Sequence, residues 1–300
     1  MKKILVVGGT GFIGYHIIKE AKKRKWNVTS ISLSKPKKKR FHQNVNYKLV
    51  DIVDYKSLKK KISSDYDFVV NVGGYGKHPD FGKEGFELFK SHFYGLINIL
   101  NVLSFKKIKK FVQIGSSSEY GKSLSPLKEH INCRPKTPYS IAKLACTNLL
   151  LNLYQKKKFP VTILRLFQVY GPHQDNNRIL PFLINNCLKN KNFNTTSGKQ
   201  ICDFCYIDDV VSAIFKSLQS QKSNGNVINI GSGKPIQIKR IILIVKKLIG
   251  KGNPIFGALK YRRETNMKNY PCINQAKKKL NWKTKMELID GIKKTIKSYI

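Results

Sequence analysis

Acidic side chains are scarce in this sequence of 300 residues: 17 aspartates and glutamates stand against 57 lysines and arginines, for a formal net charge of +40. An excess of that size often marks proteins that bind nucleic acid or anionic membranes. Arginine and alanine are scarce too, with 8 and 6 residues, while 49 lysines are spread along the chain. A nucleic-acid interface would cluster its cations and use arginine. Abundant lysine, isoleucine and asparagine instead match drift in an AT-rich coding sequence, and we predict a solvated basic surface with no specific nucleic-acid partner.

Long apolar segments are also lacking. The two longest uncharged runs, residues 4–18 and 91–105, span 15 residues each, whereas a helix needs about 20 to cross a bilayer. The basic N-terminal tip is followed by only a short apolar stretch, without the small-residue cleavage site of a secretory signal. We therefore expect a cytoplasmic protein with no membrane segment.

The six cysteines show no spacing typical of a disulfide framework, which suits a reducing compartment. Cys202 and Cys205 have the spacing of a zinc or redox pair. A zinc site would need a second pair, which is missing, and a redox motif would open a helix, whereas this segment looks extended. We predict two unrelated thiols and no metal site.

Short apolar runs alternate with amphipathic stretches through the first half of the chain. Runs that are apolar at every position are typical of strands in a parallel sheet that helices cover on both faces. The pattern therefore predicts an α/β fold, a Rossmann-type doubly wound parallel sheet. The predicted strands are 4–7, 28–33, 47–50, 68–72, 111–114, 161–164 and 227–230, and the predicted helices between them are about 13–24, 55–63, 86–105 and 139–157.

This regularity ends after Gly171 and Pro172. Loops rich in Asn, Gly and Pro then separate predicted helices at about 179–189, 208–219, 238–249 and 286–298. We predict a dinucleotide-binding domain over residues 1–168 and a smaller C-terminal substrate-binding lobe over residues 169–300, with part of 203–232 returning to the Rossmann sheet.

A glycine-rich loop follows the first predicted strand and opens the first predicted helix. Pyrophosphate binding at a helix N-terminus requires this context of strand, turn and helix. Gly8 permits the tight turn, Gly11 lets backbone N–H groups approach the pyrophosphate, and Gly14 lets helix and strand pack closely. The cofactor-binding residues predicted in this loop are Gly8, Thr10, Gly11, Phe12, Ile13 and Gly14.

The end of the second strand bears on the choice of cofactor, because an acidic residue there binds the 2′-hydroxyl of NAD and repels the 2′-phosphate of NADP. Ser32 occupies that position, and Lys35 follows in a basic run that ends at Arg40. NADP is therefore favoured, and NAD stays open. Asp51, at the end of the third strand, is a candidate for binding the adenine amino group.

Tyr139 and Lys143 lie four residues apart, which places both on one face of a helix. A free phenol has a pKa of about 10, and a neighbouring cation favours its ionised form, so such a pair is a candidate acid/base. The spacing alone is common in helices. It gains weight from the serines at 116–118, which follow the fifth strand at the edge where such sheets bind ligands.

These motifs together resemble those of the extended short-chain dehydrogenase/reductase family, the NAD(P)-dependent nucleotide-sugar epimerases, dehydratases and 4-ketoreductases. The similarity runs from Lys2 to about Ile296 and includes Arg165-Leu-Phe-Gln-Val-Tyr-Gly-Pro172, Asp203-Phe-Cys-Tyr-Ile-Asp-Asp209 and Leu280-Asn-Trp282. The resemblance implies that Tyr139 is the acid/base, that Lys143 binds the nicotinamide ribose and that Ser116 orients a nucleoside-diphosphate sugar. It also implies cofactor contacts at Ile52, Val72, Gly73, Gly74 and Phe167, and substrate contacts at Ser117, Ser118, Gln168, Arg178 and Arg262.

The sequence departs from the family pattern at several of these positions. Cys202 stands where an arginine commonly contacts the diphosphate, and Arg178 is expected to compensate. Arg262 matches another arginine that holds the diphosphate. Gln168 replaces an asparagine that contacts the same moiety, and His92 replaces a structural asparagine.

The reactions of the family place different demands on the site. Dehydration needs a carboxylate one or two residues after the catalytic serine, and Ser117 and Ser118 occupy those positions, which disfavours a dehydratase. The serine loop looks most like that of the reductases in the family. Together with Ser32, this resemblance favours an NADPH-dependent 4-ketoreductase, which transfers hydride to C4 of a nucleoside-diphosphate 4-keto-(di)deoxyhexose.

The alternative is a 4-epimerase that holds NAD tightly. Two rivals come from other classes of protein, a non-catalytic NADP sensor and a polyanion-binding protein. Helices at 86–105 and 139–157 often form a four-helix dimer interface in the family, and the resemblance therefore also implies a homodimer.

Overall fold

The computed structural model describes residues 1–74, 79–261 and 265–300. Strands and helices alternate through the first half of the chain, as the apolar pattern predicts. The elements of this half are β1 (Lys3–Val7), α1 (Phe12–Lys23), β2 (Asn27–Ser32), β3 (Asn46–Leu49), α2 (Tyr55–Lys61), β4 (Phe68–Asn71), α3 (Lys83–Val102), β5 (Lys110–Ser116), α4 (Pro138–Lys157) and β6 (Val161–Leu166), with a short 3₁₀ helix at Ser117–Tyr120.

The second half of the chain has shorter strands. Its elements are β7 (Gln168–Tyr170), α5 (Ile179–Leu188), β8 (Asn192–Asn194), β9 (Ile201–Tyr206), α6 (Ile207–Gln219), β10 (Asn226–Ile230), β11 (Pro235–Gln237), α7 (Ile238–Ile249), β12 (Asn253–Ile255), β13 (Lys268–Asn269), α8 (Asn274–Leu280) and α9 (Leu288–Lys297). Within the described ranges, none of the helices combines the length and apolar composition of a bilayer-spanning segment.

Seven parallel strands form the central sheet, in the order β10-β6-β5-β4-β1-β2-β3. The order starts at β1 and runs outward in both directions, which is the doubly wound arrangement. This confirms the predicted fold class. Strand β10 comes from the second half of the chain and lies beside β6; the boundary between two lobes at residue 168 stays a prediction.

The apolar strands are explained by burial on both faces of the sheet. In β1, Ile4 and Val6 belong to one hydrophobic cluster, with residues of α1 and α6, while Leu5 and Val7 belong to another, with residues of α2, α3 and α4. All four side chains are at most 1% exposed. Burial of each such side chain contributes about 1.5–3 kcal/mol. Polar residues at every second position of β1 would therefore remove the apolar contacts with the helices on one face of the sheet.

Asp209, which ends one of the segments that resemble the family, has a structural role. It lies in the first turn of α6, and its carboxylate accepts hydrogen bonds from the backbone N–H groups of Lys285 and Met286, both at 3.0 Å. The indole of Trp282, which lies in another of these segments, donates to the backbone oxygen of Asp209 at 3.0 Å. These bonds attach the C-terminal segment to the start of α6.

Candidate active site

The carboxyl ends of the parallel strands bring the predicted cofactor-binding segments to one edge of the sheet, where such folds bind their ligands. Six consecutive strands of the first half contribute to this edge. The segments are residues 8–14 after β1, Ser32 and Lys35 at and after the end of β2, Asp51 and Ile52 after β3, Val72, Gly73 and Gly74 after β4, Ser116 at the end of β5, and Phe167 after β6.

Two positions of the glycine loop, residues 8–14, are packed too closely for a side chain. Gly8 has a φ of +79°, and a Cβ there would lie 2.9 Å from the Cα of Gly73. A Cβ on Gly14 would lie 2.6 Å from the Cα of Gly9 and would collide with the backbone oxygen of Gly8. These contacts join the loops after β1 and β4, so the loop can adopt its form only with glycine at these positions.

Gly11 differs from its neighbours, because space is open around it. It is the N-cap of α1, with a φ of −74°, and a Cβ there would have only the oxygen of Gly8 within 4 Å, at 3.3 Å. The space beside Gly11 faces the start of α1, where backbone N–H groups favour an anion. The residues present therefore fit the pyrophosphate of a dinucleotide.

Ser32 is connected to the glycine loop. Its hydroxyl donates to the oxygen of Ile31 at 2.7 Å and accepts from the backbone N–H of Thr10 at 3.2 Å. The carboxylate of Asp51 accepts a hydrogen bond from the N–H of Val53 at 2.9 Å and is otherwise exposed. Ser32 thus fixes the loop on one side and leaves no negative charge at the end of β2.

Two cations of the basic run after β2 contact an aspartate from the second half of the chain. Arg40 is 5% exposed, and its guanidinium donates to Asp175 at 2.9 Å. Lys37 donates to the same carboxylate at 3.1 Å. Burial alone would raise the pKa of Asp175, but Arg40 and Lys37 hold it below its ordinary value. Lys35 is exposed.

The three serines form a compact turn at the end of β5. Ser116 caps the 3₁₀ helix, and its Oγ accepts hydrogen bonds from the N–H of Ser118 at 3.2 Å and from the hydroxyl of Ser118 at 2.8 Å. Because the Ser116 oxygen already accepts two hydrogens, its own hydroxyl hydrogen is available to donate. The turn therefore presents a hydrogen-bond donor at the edge of the sheet.

Helix α4 begins at Pro138, with Thr137 as its N-cap. Tyr139 is half-buried, and the ring of His92 packs edge-on against it with centroids 5.5 Å apart. Lys143 is 4% exposed and donates to the backbone oxygen of Ile114 at 2.9 Å, and its Nζ lies 5.7 Å from the Tyr139 ring centroid. The bond to Ile114 holds the helix face with Tyr139 and Lys143 against the strand that ends at Ser116.

A cavity of about 670 Å³ adjoins the serine turn and the second half of the chain. Four of the five predicted substrate-binding residues line it, and Arg262 lies outside the described residues. Ser116 and Tyr139 are not in the lining, but their chain neighbours Ser117 and Ser140 are. The predicted residues that line the cavity are Ser117, Ser118, Gln168 and Arg178.

The charge of this cavity is positive. Lys122, Lys136 and Arg178 contribute to its walls, and no aspartate or glutamate occurs among the described lining residues. Hydroxyl and amide side chains make up much of the remaining polar lining. Such a cavity favours an anionic ligand that carries several hydroxyl groups.

Sequence reasoning missed Asn269. This residue of β13 lines the cavity, and its Nδ2 donates to the hydroxyl of Ser117 at 3.2 Å. Its Oδ1 is buried without a hydrogen-bond partner among the described residues. Asn269 is 152 positions away from Ser117, and no local pattern indicates a pairing over that distance.

Cys202 lines the same cavity, whereas Cys205 is fully buried, and both are free thiols. Burial raises the pKa of Cys202 to about 11 and that of Cys205 well above its usual range. Both thiols are therefore protonated near neutral pH and do not act as a reactive pair.

Comparison with known proteins extends over the whole chain. The model of the NAD dependent epimerase/dehydratase family matches residues 4–231. Human dTDP-D-glucose 4,6-dehydratase is 28% identical over 316 residues, covering 99% of this chain and 90% of that protein. A putative UDP-glucose 4-epimerase of Methanocaldococcus jannaschii is 28% identical over 308 residues, covering 98% and 97%.

Solved structures show the same similarity. UDP-glucose 4-epimerase of Thermotoga maritima with UDP-glucose aligns with a TM-score of 0.92 and 25% identity, covering 99% of this chain and 98% of that one. UDP-glucuronic acid 4-epimerase of Bacillus cereus with UDP-glucuronic acid and NAD aligns with a TM-score of 0.88 and 27% identity at the same coverage. These matches confirm the resemblance derived from the motifs: the chain is an enzyme of the NAD dependent epimerase/dehydratase family.

Proposed function

We propose that the protein is a nucleotide-sugar 4-epimerase, which inverts C4 of the hexose in a nucleoside-diphosphate sugar. The observation that carries the chemistry at C4 is the bond from Lys143 to Ile114, which holds the acid/base helix beside Ser116 next to a basic cavity. Support for epimerisation comes from relatives that are named 4-epimerases and align over almost their whole length.

The position of Glu119 argues against dehydration in this enzyme. It is the first carboxylate after Ser116, and a dehydratase needs such a group as an acid/base facing the substrate. Glu119 is 0% exposed, pairs with Arg165 at 2.9 Å and does not line the cavity. Ser117 and Ser118 line the cavity in its place.

The reaction needs one proton acceptor and one hydrogen-bond donor at the C4 oxygen. When bound, the nicotinamide supplies reversible hydride exchange with C4. As the phenolate, Tyr139 takes the proton of the C4 hydroxyl and later returns it to the same oxygen, and the neighbouring ammonium of Lys143 favours the ionised form of the phenol. Ser116 donates its free hydroxyl hydrogen to the same oxygen. Between the two proton transfers the 4-keto sugar must present its opposite face, for which the cavity provides the space.

We propose NAD as the cofactor. Sequence reasoning favours NADP, because Ser32 is not acidic and cations follow it. One of those cations, Arg40, is buried and paired with Asp175, so it is not available for a 2′-phosphate; the exposed Lys37 pairs with the same carboxylate. An epimerase also regenerates its cofactor in each turnover, so NAD need not be exchanged. The B. cereus neighbour contains NAD.

The proposal is tested with purified protein and no added cofactor. Incubation with UDP-, dTDP-, GDP- and CDP-hexoses is followed by ¹H NMR of the anomeric and H4 signals, and the cofactor released by denaturation is identified by chromatography. We expect one nucleotide sugar to reach an equilibrium with its C4 epimer, and NAD in the extract.

Other results would assign a different reaction. Conversion of a 4-keto sugar that consumes one NADPH or NADH per turnover, with no epimer formed, would make the protein the 4-ketoreductase that the sequence favours. NADP in the extract would overturn the cofactor assignment. If no sugar were converted, either without added cofactor or with NADPH or NADH, both the 4-epimerase and the 4-ketoreductase assignments would be contradicted.

We also propose that the enzyme is a homodimer through α3 and α4. The side chains of Phe86 and Tyr94 on α3 are 67% and 55% exposed, although α3 packs closely against α4. Large exposed aromatic groups on one helix face favour association. Sedimentation should give the mass of two chains, and Phe86→Lys with Tyr94→Lys should give one. Phe41→Lys, which removes another exposed aromatic residue away from α3, should leave the mass unchanged; a single-chain mass for the wild type would contradict the proposal.

A further inference from the structure

A buried carboxylate lies directly behind the serine turn. Glu119 is 0% exposed, and both of its oxygens are engaged. Oε1 accepts a hydrogen bond from the backbone N–H of Ser116 at 2.8 Å. Oε2 accepts from the hydroxyl of Thr147 and from Nε of Arg165, both at 2.9 Å. One carboxylate therefore connects β5, α4 and β6.

Thr147 lies on the same face of α4 as the acid/base pair. Tyr139, Lys143 and Thr147 are spaced four residues apart, so they follow one another along one side of the helix. Lys143 donates to Ile114 and Thr147 donates to Glu119. Two buried hydrogen bonds thus fix this helix face relative to the strand end that carries Ser116.

The local sequence permits this close approach. A Cβ on Gly115 would lie 2.6 Å from Oε1 of Glu119, so a side chain there would displace the carboxylate from Ser116. Arg165 is 2% exposed and balances the negative charge of Glu119 inside the protein. Its guanidinium also lies 4.4 Å from the ring centroid of Tyr120, so the buried cation has a cation–π contact besides Glu119. Removing either charge would leave the other buried without a partner, which is strongly unfavourable.

We propose that Glu119 is a positioning residue for the reaction, which holds Ser116 and the Tyr139 face of α4 at the separation needed to contact one substrate oxygen. This inference rests on the proposed chemistry at C4, and it applies equally to a 4-epimerase and a 4-ketoreductase, because both use the same three side chains. Glu119 exchanges no proton with substrate, since it is fully buried and outside the cavity lining.

The sharpest test removes one bond of the network without changing its shape. Thr147→Val deletes the hydroxyl that binds Glu119 and keeps the volume of the side chain. We expect kcat to fall about tenfold with KM within about twofold, because a small misplacement of reacting groups lowers the rate of the chemical step more than it weakens substrate binding. Thr147→Ser, which restores the hydroxyl, should recover most of kcat. Glu119→Gln should lower kcat further, by about a hundredfold, and should also lower stability, because Arg165 then stays buried without its counter-charge.

Thr162→Val is the matched control. Thr162 of β6 is also 0% exposed, and its hydroxyl donates to the backbone oxygen of Ser223 at 2.8 Å, away from the serine turn. It should lose stability, measured by thermal unfolding, and keep kcat. Equal kcat values for Thr147→Val and Thr162→Val would overturn the positioning role. If the wild type reduced a 4-keto sugar and formed no epimer, only the proposed function would be overturned, and the same variants would be compared in the reduction assay. A wild type with neither activity would contradict both proposals.

Discussion

Replacement of Tyr139 by phenylalanine is expected to lower kcat by about a thousandfold, within the range for loss of a positioned acid/base. The phenylalanine ring retains the edge-on packing against His92. Folding and NAD content should therefore stay close to those of the wild type, and only the proton transfer is lost. The measurement is the initial rate of C4 epimer formation by NMR, alongside circular dichroism and the extracted cofactor.

Helix α4 provides a matched control for this variant. Tyr154 and Lys158 have the same spacing as Tyr139 and Lys143, and the ammonium of Lys158 also lies 5.7 Å from the ring centroid of its tyrosine. Tyr154→Phe should leave kcat unchanged, because this pair lies at the other end of the helix. Tyr139→Phe with more than a tenth of the wild-type rate would remove Tyr139 from its assigned role.

The same comparison shows what the sequence could and could not predict about the site. A tyrosine followed four positions later by a lysine occurs at Tyr15, Tyr55, Tyr139 and Tyr154. The lysines of the other three pairs are exposed, whereas Lys143 is buried and bonded to Ile114. The spacing alone cannot separate these pairs, because what distinguishes them is their position relative to β5. The choice of Tyr139 and Lys143 as the candidate pair depended on the serines and on the resemblance to a family.

The fold was more accessible to prediction, because its cause is local. Every residue of β1 after Lys3 is buried on one face or the other, so the strand is apolar after Lys3. All residues of β4 and β6 are buried too, and most of them are apolar. Contacts between distant segments have no such local cause. The pairing of Arg40 with Asp175 joins residues 135 positions apart, and only the folded chain shows that this cation is not free to bind a phosphate.

The high positive charge fits this picture of the site. The described walls of the cavity carry three cations and no carboxylate, while two acidic groups near the site, Asp175 and Glu119, are paired with arginines. A nucleoside diphosphate and a dinucleotide are both anionic, and a positive field raises their rate of encounter. The charge that resembled a sign of nucleic acid is thus compatible with two small nucleotide ligands.

Two alanine substitutions in the glycine loop are expected to act in different ways. Gly14→Ala places a Cβ against the backbone of Gly8 and Gly9, so we expect the free energy of unfolding to fall by about 1–3 kcal/mol. Gly11→Ala meets only one protein atom, at 3.3 Å, and should lower the free energy of unfolding by less than about 1 kcal/mol, mainly because alanine is a poorer N-cap than glycine. Its methyl group would occupy the open space at the start of α1, where we expect the pyrophosphate.

Gly11→Ala should therefore bind NAD at least about tenfold more weakly, which corresponds to about 1.4 kcal/mol. Titration of the cofactor-free enzyme with NAD, by calorimetry, measures this affinity, and urea unfolding of the same preparations measures stability. Gly14→Ala separates the two effects, because its loss of affinity should be accompanied by loss of stability. Unchanged affinity in Gly11→Ala would mean that the dinucleotide does not cross the start of α1, because the methyl group fills that space whether or not the rest of the loop moves.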